Sequence, residues 1–172
     1  MQLVYRLLLI FFVAIPFACG KKKSTAIHFQ YDYEQSYGWT GITLEKGIAH
    51  SGLYSERISS DKEYSHGFTL PITQIYSSPV KRMKASVWVN ATEMNAPVYL
   101  VLDVFIPGSN EHLKFVQKDF SPLLQKKGGW RNVSAEINLF DIKTRDAIVK
   151  AYVWNNQHQN LWIDDFSIDF EK

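Results

Sequence analysis

The sequence has few of the residues and motifs that mark redox, zinc or nucleotide chemistry. Cysteine occurs once, as Cys19, so no disulfide can form within one chain. The five histidines show no spacing typical of a zinc site. No nucleophile elbow, phosphate-binding loop or dinucleotide-binding glycine motif is present. These absences exclude zinc-finger, P-loop and Rossmann-type sites.

The chain also has little net charge and no apolar run of membrane-spanning length. Lys and Arg number 19 against 17 Asp and Glu, which gives a formal net charge of +2. So weak a field does not attract polyanions, and a nucleic-acid partner is not expected. The longest apolar run, residues 7–17, is shorter than the about 20 residues that a transmembrane helix needs.

That apolar run has the composition of a signal peptide. Arg6 precedes it, and Ala18, Cys19 and a basic segment (residues 21–23) follow it. One interpretation is an ordinary signal whose end carries a buried thiol. The other is that the segment resembles the bacterial lipobox, in the looser form common in Bacteroidetes, where a small residue such as Ala18 precedes the lipidated cysteine.

The lipobox resemblance implies a lipoprotein. Cleavage would make Cys19 the lipid-modified N-terminus, although Pro16 and Phe17 depart from the pattern. The chain is then predicted to contain a signal peptide (1–18), a lipidated tether (19–25) and a β-sandwich domain (26–172). A lipid anchor predicts a location in the bacterial cell envelope, at the outer membrane or cell surface.

The remainder of the chain has the pattern of short strands. Aromatic residues make up 15% of the sequence and alternate with Val and Ile, which favours sheet over helix. Within residues 82–90, Trp88 and Asn90 share the face opposite two valines. Residues 98–106 are apolar on both faces, which predicts a central strand. Further strands are predicted at residues 114–120, 130–139, 147–154 and 161–170.

Helix is predicted only in short pieces, at residues 121–124 and 140–145. Polar turns separate the strands, and no repeat or linker divides the chain after residue 26. The sequence therefore predicts an all-β antiparallel β-sandwich whose first and last strands are neighbours.

Three segments resemble the galactose-binding-like jelly roll of the carbohydrate-binding-module type. Residues 29–34, followed by Gly38 and Trp39, are similar to the opening of that family. Residues 50–55 resemble its Ser-Gly-x-Tyr-Ser turn, and residues 161–168 resemble its final strand with an Asp-Asp pair. The resemblance implies the same fold and a glycan-binding role, and it carries no sugar specificity.

The resemblance also implies a structural calcium site where the first strand, the Ser-Gly turn and the last strand meet. Calcium prefers oxygen ligands from carboxylates and carbonyls. The implied ligands are Asp32, Glu34, Ser51, Gly52 and Asp164. The alternative is that Asp164 and Asp165 form a β-bulge while Glu34 is solvated.

Candidate ligand-binding residues follow from the chemistry of sugar recognition, which combines exposed aromatic rings with polar side chains. The candidates are aromatic, imidazole and amide side chains: Tyr37, Trp39, Tyr64, His66, Trp88, Asn90, Trp154 and Asn156. The alternative for each aromatic residue is burial in the core.

The leading functional hypothesis is a non-catalytic, lipid-anchored module of the cell envelope that binds a polysaccharide or oligosaccharide. A second hypothesis is a structural or assembly lipoprotein that binds a protein partner. A third is a small glycan-active enzyme, which would need two converging carboxylates. Asp103 and Asp119, if they face each other on adjacent strands, are candidates for that pair.

Overall fold

Ten β-strands and one short α-helix make up the part of the chain that the computed structural model describes, which is residues 25–35, 42–75, 80–92, 96–109, 111–124 and 129–172. The strands are β1 (Thr25–Tyr31), β2 (Leu44–Lys46), β3 (Tyr54–Ile58), β4 (Phe68–Pro71), β5 (Arg82–Ala91), β6 (Tyr99–Phe105), β7 (His112–Asp119), β8 (Arg131–Asn138), β9 (Ile148–Trp154) and β10 (Leu161–Glu171). Helix α1 is Ser121–Leu124, and a 3₁₀ turn covers Ile72–Gln74.

The strands form two antiparallel sheets. The six-stranded sheet has the order β2-β3-β10-β5-β8, and β1 also pairs with β10. The four-stranded sheet has the order β4-β9-β6-β7. The predicted β-sandwich is therefore confirmed, and so is the pairing of the first strand with the last. Strand β6, predicted to be central, lies between β9 and β7.

The core fills the space between the two sheets, and strand alternation decides which side chains enter it. In β5 the odd-numbered residues from Met83 to Ala91 are buried, while the even-numbered ones are half-buried on the outer face. In β9, Val149, Ala151 and Val153 are buried by the same period of two. Each fully buried Val or Leu side chain stabilises the fold by about 1.5–3 kcal/mol.

Strand β10 changes its pattern at a β-bulge. Its pairing with β5 shifts between Asp164 and Ser167, and Asp165 has a positive φ of 46°. An extra residue at this point leaves Ile163 and Phe166 both buried while the two aspartates lie between them. The structure thus has the bulge that was given as the alternative to a calcium site, but the solvated Glu34 of that alternative is wrong, because Glu34 accepts two backbone N–H groups.

The helix predicted at residues 140–145 is wrong. The chain makes only a turn there, in which the backbone N–H of Ile142 donates to the carbonyl of Leu139 at 3.1 Å. Phe140 is 69% exposed and Ile142 is the one apolar residue of this segment that packs against the core, which is too little buried apolar surface to stabilise a helix here.

Predictions for the N-terminal segment lie outside the described residues. They are the signal peptide, the tether up to residue 24 and the lipid-attachment residue Cys19. The described part of the chain contains no helix with the length and apolar character that crossing a membrane requires.

Candidate functional site

The outer face of the six-stranded sheet carries the Asp164–Asp165 bulge, and the loop before β3 folds back onto it. Asp164 Oδ2 accepts the backbone N–H groups of His50 at 2.7 Å and Ser51 at 3.1 Å. The carboxylate of Asp165 contacts His50 Nδ1 at 2.6 Å and accepts the Ser51 hydroxyl at 2.9 Å. Burial raises the pKa of Asp164 despite the backbone N–H groups that hold its carboxylate.

Glu34 holds the next residues of the same loop. Its Oε1 accepts the backbone N–H groups of Leu53 at 2.8 Å and Tyr54 at 2.9 Å. Gly52 has a φ of +62°, and a Cβ built there would fall closer than 3.0 Å to Glu34 Oε1. Glycine is favoured at position 52 for two reasons: its positive φ strains other residues, and a Cβ there would displace the Glu34 carboxylate. We call Glu34, Asp164, Asp165 and loop residues 50–54 the carboxylate latch.

The carboxylate latch brings together four of the five residues implied for calcium, but their carboxylate oxygens accept hydrogen bonds from the protein backbone. Glu34 Oε1 and Asp164 Oδ2 each accept two backbone N–H groups, so these two oxygens have little lone-pair capacity left for a cation. Asp32 instead accepts the backbone N–H of Glu34 at 3.2 Å. Within the described residues, no group of three or more His, Cys, Asp or Glu side chains is placed to hold a metal ion. This donor set fits calcium poorly, and calcium binding stays a prediction.

Trp88 and Asn90 lie on the outer face of β5, the strand that pairs with β10 beside the carboxylate latch. The His50 ring stacks on Trp88 with centroids 3.7 Å apart and planes 14° apart, and Trp130 meets the His50 ring edge-on at 5.9 Å. One face of the Trp88 ring is therefore covered by the protein itself.

A second surface, on the outer face of the four-stranded sheet, is open. Two adjoining cavities of about 350 and 390 Å³ share Asp103 and Lys150, which are register partners on β6 and β9. The first cavity extends to Thr69 on β4, and the second extends to His112 on β7. The two cavities meet at Asp103 and Lys150 and together span the four strands of this sheet, and we call them the cross-strand groove.

Four aromatic side chains cluster at one end of the cross-strand groove. Tyr64 and Trp154 are bridge partners, with ring planes 12° apart and centroids 6.5 Å apart. Tyr152 lies 5.7 Å from Tyr64, and Tyr99 lies 5.3 Å from Trp154. Tyr64 is 46% exposed, so its ring is accessible from solvent. We call these four residues the aromatic cluster.

The floor of the groove is polar. Asp103 is only 5% exposed, and its Oδ1 lies 2.9 Å from His112 Nδ1. The ammonium group of Lys150 lies 4.6 Å from the centroid of the Phe105 ring. Burial, together with the charge of Asp103, raises the pKa of Tyr152 to about 12, so its hydroxyl is a hydrogen-bond donor at neutral pH.

The predicted ligand residues thus fall in several places. Tyr64 and Trp154 meet in the aromatic cluster, whereas Trp88 and Asn90 lie on the opposite sheet. His66 lines a separate cavity of about 500 Å³ between β1 and β4. Asn156 is half-buried in the β9–β10 loop, and Tyr37 and Trp39 lie outside the described residues.

The proposed carboxylate pair for hydrolysis does not form across the sheet. Asp103 is opposite Phe115 in the β6–β7 register, and Asp119 is opposite Tyr99. The carboxylate of Asp119 instead accepts the backbone N–H of Ser121 at 2.9 Å and its hydroxyl at 2.6 Å, at the start of α1.

Most residues that line the groove were not among the sequence candidates for ligand binding. They include Asp103, Lys150 and Tyr152, and Tyr99 of the aromatic cluster was not a candidate either. Alternation indicated that Tyr99 and Asp103 share one face of β6, and the same rule applied to β9 places Lys150, Tyr152 and Trp154 on one face. The clustering of aromatic and charged residues on one face of each strand was therefore the sequence signal that could have identified them.

Sequence comparisons give no relative. No protein-family model matches the chain, and no curated protein matches it either.

Solved structures with a similar fold do exist. The CBM22-1–CBM22-2 tandem of Xyn10C from Paenibacillus barcinonensis superposes with a TM-score of 0.59 at 19% identity, over 91% of this chain and 52% of that one. This chain thus spans about half the length of the tandem. The isolated CBM22-1 xylan-binding domain gives a TM-score of 0.54 at 14% identity, over 84% of this chain and 94% of that one. The isolated CBM22-2 xylan-binding domain gives a TM-score of 0.52 at 16% identity, over 83% of this chain and 98% of that one. The chain therefore has the galactose-binding-like jelly-roll fold of these carbohydrate-binding modules.

Proposed function

We propose that this domain is a non-catalytic glycan-binding module that holds a polysaccharide in the cross-strand groove. The observation that carries the proposal is the composition of that groove. It combines the solvent-accessible ring of Tyr64 with a polar floor, in a channel that crosses β4, β9, β6 and β7. Ligand sites combine apolar surface with a few well-placed polar groups in this way.

Each part of the groove has a role in sugar binding. The aromatic cluster offers ring faces to the C–H faces of a pyranose. The Tyr152 hydroxyl donates a hydrogen bond, and the Asp103 carboxylate accepts one from a sugar hydroxyl, which is stronger than a neutral hydrogen bond. The groove is shallow and open, so we expect affinities in the range of about 1 mM to 1 µM.

Xylan is the first polysaccharide to test, because two proteins of the same fold are described as xylan-binding domains. Identity to them is low, so galactans, glucans and mannans belong in the same panel. Affinity electrophoresis on gels that contain each polysaccharide measures retention directly.

The decisive comparison uses one tryptophan from each sheet. Trp154→Ala removes a ring of the aromatic cluster, and we expect at least a tenfold loss of affinity, about 1.4 kcal/mol. Trp88→Ala, on the opposite sheet under His50, is the control and should retain affinity within about twofold. A protein that is retained by no polysaccharide would overturn the proposal and leave the structural-lipoprotein alternative.

We also propose that the module is anchored in the bacterial cell envelope by a lipid on Cys19. Support comes from the apolar run at residues 7–17 and the small residue before the cysteine. Expression of the full chain in a bacterium with a labelled fatty acid should give a labelled protein, and Cys19→Ser should abolish the label. Mass spectrometry that finds an unmodified thiol at Cys19 would contradict the anchor.

A further inference from the structure

Glu63 lies beside the aromatic cluster, and one of its oxygens contacts two of the four rings. The indole N–H of Trp154 donates to Glu63 Oε1 at 3.0 Å, and the hydroxyl of Tyr64 donates to the same oxygen at 3.0 Å. The carboxylate therefore joins the two rings that are bridge partners on neighbouring segments.

The backbone around Glu63 is itself fixed to the end of β9. The Asn155 N–H donates to the Glu63 carbonyl at 2.7 Å, and the Ser65 N–H donates to the Val153 carbonyl at 2.9 Å. The Ser65 hydroxyl accepts the Val153 N–H at 2.9 Å. These bonds fix the backbone of residues 63–65 beside the end of β9, so the Glu63 side chain starts from a fixed position near both rings.

We propose that Glu63 is the positioning residue of the glycan site: it fixes the Tyr64 and Trp154 rings in their nearly parallel arrangement, so that a sugar meets a preformed surface. The proposal rests on the proposed function. Large side chains that are mobile in the free protein lose rotamer freedom when a ligand binds, which weakens binding, and a group that orders them in advance reduces that loss. Glu63 acts through the two rings and need not touch the sugar.

The chain contains a matched control on the other sheet. Trp162 donates its indole N–H to Glu45 Oε2 at 3.0 Å, the same length as the Trp154 bond. Trp162 is 8% exposed and pairs with Asn90 and Arg57 in the six-stranded sheet, away from the groove. Glu45→Ala therefore removes an indole–carboxylate bond of the same length, together with the ion pair of Glu45 with Arg57 at 3.6 Å, without affecting the aromatic cluster.

The test measures affinity for whichever polysaccharide retains the wild-type protein. We expect Glu63→Ala to weaken binding about tenfold, Glu63→Gln to restore most of it because the amide oxygen still accepts, and Glu45→Ala to bind as wild type. Equal losses in Glu63→Ala and Glu45→Ala, or wild-type binding by Glu63→Ala, would overturn the proposal. Urea unfolding of the same variants accounts for general destabilisation.

A second readout uses the protein without ligand. Acrylamide quenching of tryptophan fluorescence should increase in Glu63→Ala, and the increase should vanish when Trp154→Phe is added, because the released ring is that of Trp154. Unchanged quenching with reduced affinity would show that Glu63 binds the sugar directly, and would overturn the positioning role. If no polysaccharide binds the wild type, the proposed function fails, while quenching still decides whether Glu63 fixes the rings.

Discussion

The two outer faces of the sandwich carry similar side chains and use them differently. On the six-stranded sheet, the loop before β3 folds back, so Asp164 and Asp165 bond to His50 and Ser51, and His50 covers Trp88. On the four-stranded sheet no described loop covers the groove in this way, and Tyr64 stays 46% exposed. Whether an aromatic ring on an outer face is covered by the protein or stays accessible to a ligand is thus decided by the loop that meets it.

The largest expected effect concerns stability and the carboxylate latch. Gly52→Ala places a Cβ against Glu34 in a left-handed backbone conformation, so the Glu34 carboxylate must leave two backbone N–H groups. We expect a loss of about 3 kcal/mol in the free energy of unfolding, from backbone strain and the lost hydrogen bonds. Urea unfolding measures it.

Gly108→Ala is the matched control for Gly52→Ala. Gly108 also has a positive φ, of 77°, but a Cβ there meets nothing within 4 Å. The Gly108→Ala variant should lose only about 1 kcal/mol in the free energy of unfolding, because backbone strain is its only cost. Equal losses in the two variants would show that Glu34 does not hold the loop. Polysaccharide retention of the folded Gly52→Ala protein should match wild type, because the groove lies on the other sheet.

The next effect concerns the floor of the groove. Asp103→Asn keeps the shape of the side chain and removes its charge, so we expect about a tenfold loss of glycan affinity, about 1.4 kcal/mol. The pKa of Tyr152 should fall in the same variant, because the Asp103 charge contributes to raising it. Isothermal calorimetry and an absorbance titration at 295 nm measure the two effects. Unchanged affinity would place the ligand away from Asp103.

A smaller effect is the dependence of stability on alkaline pH. The pKa of Tyr152 is about 12 in the folded protein against about 10 in the unfolded chain, so its contribution to stability is complete below pH 10 and is lost as pH rises toward 12. Wild type should lose more stability between pH 9 and pH 11 than Tyr152→Phe does. Tyr33, whose pKa burial raises well above its usual value, is present in both proteins and cancels in the comparison. Equal losses would contradict the shift.

The smallest expected effect is that of calcium. The oxygens of Glu34 and Asp164 accept backbone N–H groups, so we expect EDTA or millimolar calcium to move the melting temperature by less than about 2 °C. A melting temperature that rises with calcium, and does so no longer in Glu34→Gln, would establish the predicted calcium site and show that the carboxylate latch rearranges around the ion.

Much of the fold could be predicted because strand alternation is a local property. Trp88 and Trp154 were both predicted as ligand candidates near polar neighbours, with burial as the alternative, because alternation and neighbouring residues can be assessed for each strand separately. Which sheet a strand joins depends on its pairing with strands that are distant in sequence. The placement of Trp88 and Trp154 on different sheets could therefore not be predicted from the local sequence of either strand.

The candidate site was predicted only in part for the same reason. Tyr64 and Trp154 were predicted individually, but their bridge pairing joins segments 90 residues apart in sequence. Asp103 was predicted only as half of a possible hydrolytic pair with Asp119, not as part of a ligand site. It is buried because β7 returns beside β6 and brings His112 against it. That Glu34 lies near the loop at Gly52 was implied by the family resemblance, as shared calcium ligands, whereas its direct hydrogen bonds to the backbone of that loop were not predicted.

Because β1 pairs with β10, the start and the end of the domain lie side by side, and the chain could be circularly permuted without a change in the arrangement of its strands. Thr25 is the register partner of Glu171, and Cα atoms of such partners lie only about 5 Å apart. A short peptide could join the two ends, and new ends could be opened at exposed Lys143 in the β8–β9 turn. We expect such a circular permutant to fold with both sheets intact. In the unpermuted chain, segments fused at residues 25 and 171 extend from the same end of the sandwich. A reporter and an anchor attached there would therefore lie side by side.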